Sequence, residues 1–146
     1  MPTPETSRLV AEQLLRLTRR LHRAQKRYME PLGITPAQSR LLRTVAHDDQ
    51  PPRMADLAQR LEVVPRAVTT LVDALEAHGS VRRIPDPTNR RVVRVELTDT
   101  GRSTLRALRE ARRAAAEDIL APLSDQQRET LGELLDTLSG APDHRC

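Results

Sequence analysis

The sequence predicts a mainly α-helical fold that carries one small β-hairpin. Apolar residues recur at three- and four-residue steps through most of the chain, which is the spacing of amphipathic helices. One stretch departs from this pattern, because the segments SVRRI and VVRVEL alternate around the turn-forming tip PDPTNRR. A chain of 146 residues has the length of one domain, so we expect a single domain over residues 1–146.

The helices outside the hairpin begin at recognisable capping residues. The first is predicted from about Ser7 to Met29, with apolar residues at near-heptad spacing on one face and arginines on the other. Thr98 is predicted to cap a long helix that ends near Leu120. Two capping boxes open the remaining helices, and they are Thr35 with Gln38 and Ser124 with Gln127.

Residues 57–79 predict a pair of helices that are joined by a tight turn and closed by Gly79. The residues predicted to lie in the core are Leu57, Ala58, Leu61, Val64, Val68, Leu71, Val72 and Leu75. The side chains left outward on the second helix are Arg66, Ala67, Thr69, Thr70 and Asp73. A helix that enters the major groove presents such residues to base edges, where an arginine forks onto guanine and a threonine bonds a base or a phosphate.

The hairpin over residues 81–97 follows these helices directly and carries Arg90 and Arg91 at its tip. Adjacent arginines at a tip suit a minor groove, whose negative potential attracts them, although a plain solubilising surface is the alternative. Helix, turn, helix and arginine-tipped hairpin is the order of a winged helix-turn-helix. DNA binding is therefore the leading hypothesis, with a recognition helix over residues 65–78. The wing residues expected to contact DNA are Arg83, Asn89, Arg90 and Arg91.

This segment resembles the MarR family of bacterial transcription regulators. The family's wing signature, Asp-Pro-x-Asp-Arg-Arg, is present as DPTNRR over residues 86–91, and the similarity extends over about residues 8–138. Asn89 stands where the family usually has an aspartate that pairs with the wing arginine, so a neutral hydrogen bond is expected in its place. The DNA contacts that the resemblance implies are Arg91 in the minor groove and Arg66, Thr69 and Thr70 in the major groove.

Two further departures from the family pattern lie at the turn between the paired helices. Val64 stands where a serine-like N-cap is usual, so the amides that open the recognition helix lack a side-chain acceptor, although Pro65 presets the backbone. Glu62 fills a turn position that glycine often holds, which asks a non-glycine residue to adopt the geometry of the turn.

The terminal helices, over residues 7–30 and 98–139, carry more apolar surface than a small winged domain needs. The resemblance implies that they pack against a second chain, giving a homodimer whose recognition helices read a pseudo-palindromic operator. A helical bundle within a monomer is the alternative. The DNA-binding region is then residues 35–97.

The resemblance also implies a ligand-responsive repressor. A small anionic or aromatic effector is expected between the dimer helices and the DNA-binding region. For Tyr28 core packing is the alternative role, and for the arginines it is a solvated face or a dimer salt bridge. The candidate effector-binding residues are Arg19, His22, Arg23, Tyr28 and Arg43.

Composition narrows the function classes. The 24 basic residues exceed the 20 acidic ones, giving a formal charge of +4 that suits a polyanionic partner. The four histidines are scattered without metalloprotease spacing, and the chain has neither a glycine-rich phosphate loop nor the G-x-S-x-G motif of a serine nucleophile. No enzyme, cofactor or metal is therefore expected. His47, Asp48 and Asp49 could contact a metal from a loop, but three adjacent residues make a poor closed site and are more often a solvated turn.

Two other features bear on location and on the second function class. The single cysteine, Cys146, is terminal and excludes an internal disulfide. No apolar run is long enough for a membrane span and no signal peptide opens the chain, so a soluble cytoplasmic protein with no membrane partner is expected.

The alternative function is a winged-helix protein-protein adaptor, which predicts an apolar outer face on the recognition helix.

Overall fold

The computed structural model describes residues 1–140 and has six α-helices, a short 3-10 turn and a two-stranded sheet within that range. Residues 141–146 lie outside the described part, so Cys146 and His144 receive no structural account. The elements in chain order are α1 (Pro4–Met29), the 3-10 turn (Glu30–Leu32), α2 (Pro36–His47), α3 (Met54–Leu61), α4 (Pro65–Ala77), β1 (Val81–Pro85), β2 (Val93–Leu97), α5 (Asp99–Leu120) and α6 (Asp125–Ser139). The mainly helical class with one hairpin is confirmed.

Both predicted capping boxes are present. The Gln38 amide donates to the Thr35 hydroxyl at 3.2 Å, and the Thr35 amide donates to the Gln38 side chain at 3.1 Å. Helix α1 begins at Pro4, three residues before its predicted start. Thr3 supplies the N-cap by accepting from the Thr6 amide at 3.2 Å, and a proline is favoured at the first helical position.

The core lies where α2, α3, α4 and β2 meet. Leu42, Leu57, Leu75 and Val95 are fully buried, and the interior is built from leucine and valine because the chain has no phenylalanine or tryptophan. The prediction that Val64 belongs to this core was wrong, since its side chain is 66% exposed. Val64 is the extended residue before α4, and the helical periodicity that predicted its burial does not apply before the helix begins.

The turn from α3 to α4 depends on a left-handed residue at Glu62, the position that glycine often holds. Glu62 has φ 55° and ψ 45°, and it is the one non-glycine residue with positive φ within residues 1–140. Its amide donates to the Gln59 carbonyl at 3.2 Å, and the Val63 amide donates to the Ala58 carbonyl at 3.1 Å. These bonds end α3 sharply and set the direction in which α4 departs.

A close backbone contact joins the start of α5 to the start of β1. The Thr98 amide donates to the Ser80 carbonyl at 3.1 Å, and the Thr98 hydroxyl donates to the Gly79 carbonyl at 2.5 Å. Gly101, in the first turn of α5, lies directly over Ser80, and a Cβ at this glycine would be 1.9 Å from the Ser80 carbonyl oxygen. Helix α5 therefore leaves the winged region through a contact that only glycine permits.

The first half of α1 and helix α6 leave large apolar side chains uncovered. The large hydrophobic residues exposed there are Leu9, Val10, Leu14, Leu15 and Leu17 on α1 and Leu134, Leu135 and Leu138 on α6. Between residues 1 and 140, no helix has the length and apolar character needed to cross a membrane.

Candidate nucleic-acid interface

Helix α4 presents a polar outer face. Arg66, Thr69, Thr70 and Asp73 are exposed and Ala67 is half-buried, while Val68, Val72 and Leu75 on the opposite face are buried. The hydroxyl of Thr69 donates to the Pro65 carbonyl at 3.3 Å and that of Thr70 to the Arg66 carbonyl at 3.1 Å. Hydroxyls that donate backward in this way keep their lone pairs, so they can accept from the amino groups of bases.

The first turn of α4 has no side-chain cap, as predicted. Val64 occupies the N-cap with an extended backbone and offers no acceptor, and Pro65 follows at the first helical position. The N-cap residue therefore supplies no side-chain acceptor to the amides at the positive end of the helix dipole. These amides are available to an external anion.

The hairpin forms the predicted wing, with β1 and β2 antiparallel in a register from Val81 opposite Leu97 to Pro85 opposite Val93. Asn89, Arg90 and Arg91 are exposed at its tip. The Asn89 side-chain oxygen accepts from the backbone amide of Arg91 at 3.1 Å. Asn89 therefore orders the main chain of the tip and does not hold the Arg91 guanidinium, as the expected hydrogen bond would have done, and that guanidinium remains exposed.

Asp86 is the residue around which the tip folds. The sequence suggested an ordinary turn former, whereas its side chain is buried and its Oδ1 accepts from the Thr88 amide at 2.8 Å, the Thr88 hydroxyl at 2.7 Å and the Asn89 amide at 3.1 Å. The bonds from Thr88, followed by the Arg94 guanidinium, hold the pKa of the Asp86 carboxyl well below its ordinary value, against the opposing effect of burial. Asp86 is therefore ionised and fully engaged in the folded wing.

Sequence reasoning missed Arg94, which ties the wing to the loop before α3. Its Nε donates to Asp86 Oδ2 at 2.6 Å and its Nη1 donates to the Pro51 carbonyl at 2.7 Å. Next to it, the Val95 amide donates to the Pro52 carbonyl at 2.9 Å. The partners are more than 40 residues apart in the chain, so no local sequence signal reveals this connection. A second arginine, Arg53, lies 3.7 Å from the same carboxylate.

Arg83 connects the wing to the recognition helix. Its guanidinium donates to Asp73 at 2.5 Å and to Glu76 at 2.7 Å, and its backbone amide donates to Glu76 at 3.1 Å. The bond to Asp73 is the main cause of the raised pKa of Arg83. Two residues expected to contact DNA, Arg83 and Asp73, are thus paired with each other in the free chain.

The five predicted effector-binding residues do not converge on one place. Arg19 and Arg23 are exposed on α1. Tyr28 does not pack in the core, because its side chain is 38% exposed and its hydroxyl donates to the Asp118 carboxylate. That hydrogen bond, followed by burial, raises the pKa of Tyr28.

His22 and Arg43 do meet, in a cavity of about 360 Å³ between α1, α2 and α5. Arg40 and Arg112 line it too, and the buried hydroxyl of Ser39 on its wall has no hydrogen-bond partner among the described residues. Burial, followed by the charges of Arg112 and Arg40, lowers the pKa of Arg43. The cavity therefore combines concentrated positive charge with an unsatisfied polar group.

Comparison with known proteins is consistent with this architecture. The sequence profile of the MarR family matches residues 34–93. The Bacillus subtilis HTH-type transcriptional repressor MdtR is 31% identical over 99 residues, which are 68% of this chain and 63% of MdtR, just under two thirds of that relative. The uncharacterised HTH-type regulator YhbI of the same organism is 30% identical over 105 residues, covering 69% of this chain and 68% of YhbI.

The crystal structure of YusO from Bacillus subtilis superimposes with a TM-score of 0.83 at 25% identity, over 97% of this chain and all of YusO. The relatives compared above are named as transcription regulators rather than as enzymes, in line with the sequence expectation. The family profile covers the helix pair and the wing tip, and the structural match adds the terminal helices. The chain therefore belongs to the MarR family of helix-turn-helix transcription regulators.

Proposed function

We propose that this protein is a homodimeric, sequence-specific DNA-binding repressor whose binding to DNA responds to a small ligand. The observation that carries the proposal is the exposed polar face of α4 beside an arginine-tipped wing, with the two elements joined by the Arg83 bridges. In this proposal residues 65–78 enter the major groove and residues 81–97 the adjacent minor groove. The name of MdtR as a repressor supports the direction of regulation.

Each exposed group on this surface has a chemical role in reading DNA. Arg66 forks onto a guanine edge, and Thr69 and Thr70 accept from base amino groups or bond phosphates. Arg91, whose side chain is not used in ordering the tip, places its charge in the minor groove. The uncapped amides that open α4 suit a phosphate. An adaptor function would favour apolar residues on this face, and Val64 is the one large apolar residue exposed at its edge.

The uncovered leucines of α1 and α6 support a second copy as the partner of this chain. They form an extended apolar surface on α1 and α6, and monomeric proteins rarely leave such surfaces exposed. A two-fold dimer through residues 7–30 and 98–139 covers them and repeats the reading unit about every 10 base pairs. The operator is then pseudo-palindromic.

The cavity between α1, α2 and α5 supports an anionic effector. A carboxylate there would pair with Arg43 and Arg112, whose like charges repel each other, and would supply an acceptor for the Ser39 hydroxyl. Because residues of α1, α2 and α5 line the cavity, a bound ligand would change how α2, the first helix of the DNA-binding region, packs against α1 and α5. Residues 35–97 would then release the operator.

Fluorescence anisotropy on the DNA upstream of the protein's own gene tests this proposal. We expect a dimer that prefers one site over random duplex, with Arg66→Ala costing about 1–3 kcal/mol at particular base pairs. Arg91→Ala is expected to weaken binding at all sites and to flatten its salt dependence. A monomer without sequence preference would contradict the proposal, and a series of aromatic carboxylates added to the same assay tests release.

A further inference from the structure

Two arginines approach the single buried carboxylate of the wing, and they are not equivalent. Arg94 is 18% exposed at its side chain and bonds both Asp86 and the Pro51 carbonyl. Arg53 is 50% exposed, and its Nε lies 3.7 Å from Asp86 Oδ2, which is beyond hydrogen-bond distance. Asp86 therefore has one fixed partner and one loosely held neighbour.

Both oxygens of the Asp86 carboxylate are hydrogen-bonded without Arg53. Its Oδ1 already accepts three hydrogen bonds from Thr88 and Asn89, and its Oδ2 accepts from Arg94 at 2.6 Å. Among residues 1–140, Asp86 is the one carboxylate within ion-pair distance of the Arg53 guanidinium. Arg53, Arg94 and Asp86 together carry two positive charges and one negative charge. Since Arg94 pairs with Asp86, the positive charge of Arg53 is not neutralised within this cluster.

The backbone nevertheless fixes where Arg53 lies. It immediately precedes α3, pairs with Arg94 in an isolated antiparallel bridge, and donates its amide to Asp56 at 3.1 Å. Arg53 is thus anchored between strand β2 of the wing and the first helix of the helix-turn-helix, while its side chain stays half exposed.

We infer that Arg53 is a phosphate-binding residue, which would extend the DNA interface beyond the recognition helix and the wing tip. This inference rests on the proposed function. When α4 enters the major groove and the wing enters the neighbouring minor groove, the DNA strand that separates the grooves passes between these elements. A half-exposed arginine at the junction of wing and helix-turn-helix faces that strand, and it gains a phosphate without depriving Asp86 of its partner.

The test is the salt dependence of operator binding by the full-length protein carrying Arg53→Gln. Each neutralised phosphate contributes about 0.9 to the slope of log affinity against log salt, so losing Arg53 from both protomers lowers the slope by about 1.8. The ratio of wild-type to variant affinity would then be about twelve times larger at about 50 mM salt than at about 200 mM. Arg53→Lys is expected to retain most of the slope, since it keeps the charge.

Two further variants separate phosphate binding from a structural role. Arg94→Gln, which removes the fixed partner of Asp86, is expected to lower the melting temperature, whereas Arg53→Gln is expected to leave it unchanged. Arg128→Gln removes an equally charged residue on α6, paired with Glu117 at 3.0 Å, and is expected to keep the wild-type slope. An Arg53→Gln slope equal to that of wild type overturns the inference. If wild type shows no operator preference, the proposed function itself fails.

Discussion

Replacing Gly101 by alanine adds one methyl group at the contact between α5 and the winged region. The added Cβ would lie 1.9 Å from the Ser80 carbonyl oxygen and 2.9 Å from the carbonyl carbon. Real Cβ atoms do not approach backbone this closely, and a carbonyl cannot rotate away as a flexible side chain does. The start of α5 must therefore move away from β1.

The expected cost follows from what that movement disrupts. Forcing a methyl into a packed site costs about 1–3 kcal/mol, and a backbone neighbour favours the upper end. Separation also stretches the two hydrogen bonds from Thr98 to the Gly79 and Ser80 carbonyls, each worth about 1 kcal/mol. Alanine regains about 1 kcal/mol through its higher helix propensity. We therefore expect Gly101→Ala to lower the free energy of unfolding by about 3–4 kcal/mol, or the melting temperature by roughly 10 °C.

Gly132→Ala is the matched control, because the same methyl is added inside helix α6 with no atom within 4 Å. Here the propensity term acts alone, and the variant is expected to gain up to about 1 kcal/mol. Urea unfolding followed by far-ultraviolet circular dichroism measures both variants, at one protein concentration because the proposed dimer would gain stability from association. Equal stability of Gly101→Ala and wild type would refute the close contact with Ser80.

Two further predictions follow from ionisable groups. The depressed pKa of Asp86 means that its ionised form stabilises the fold above its unfolded-state pKa of about 4, and that this stabilisation is lost as pH falls below that value. Asp86→Asn is therefore expected to flatten the stability curve in acid, as measured by urea unfolding across pH; parallel curves for variant and wild type would contradict this. Tyr28 is the sole tyrosine, and Asp118→Asn is expected to return its raised pKa toward about 10 in an absorbance titration of tyrosinate; an unchanged titration would mean that Asp118 does not hold the hydroxyl.

The fold could be predicted from the sequence wherever the signal is local. The capping boxes at Thr35 and Ser124, the left-handed Glu62 and the hairpin all depend on residues within a few positions of one another. The burial predicted for Val64 is wrong because helical spacing does not extend across the start of α4, where the backbone of Val64 is extended. The start of α1 was missed because Thr3 and Pro4 precede its first apolar residue.

The exposed residues of the candidate site could be predicted from the sequence, but the contacts that position them could not. Arg66, Thr69, Thr70 and Arg91 are exposed as expected. The tertiary contacts that order the wing join residues distant in sequence, as with Arg94 and Pro51, and sequence periodicity carries no information about such pairs. Ion pairs cannot be predicted in this way either, since the sequence shows that Arg83 is basic but not that it pairs with the carboxylates of Asp73 and Glu76 on α4.

The uncovered first half of α1 has a consequence for how the regulator responds to its own abundance. Every residue from 4 to 20 is exposed in the single chain, and a helix of that length with little buried surface is only marginally stable in water. If a second copy supplies the missing contacts, we expect this half to fold as the copies associate. At protomer concentrations below the dissociation constant of the dimer, operator occupancy would then rise with roughly the square of the protomer concentration. A modest change in synthesis rate or gene dosage would produce a larger change in transcription of the target genes.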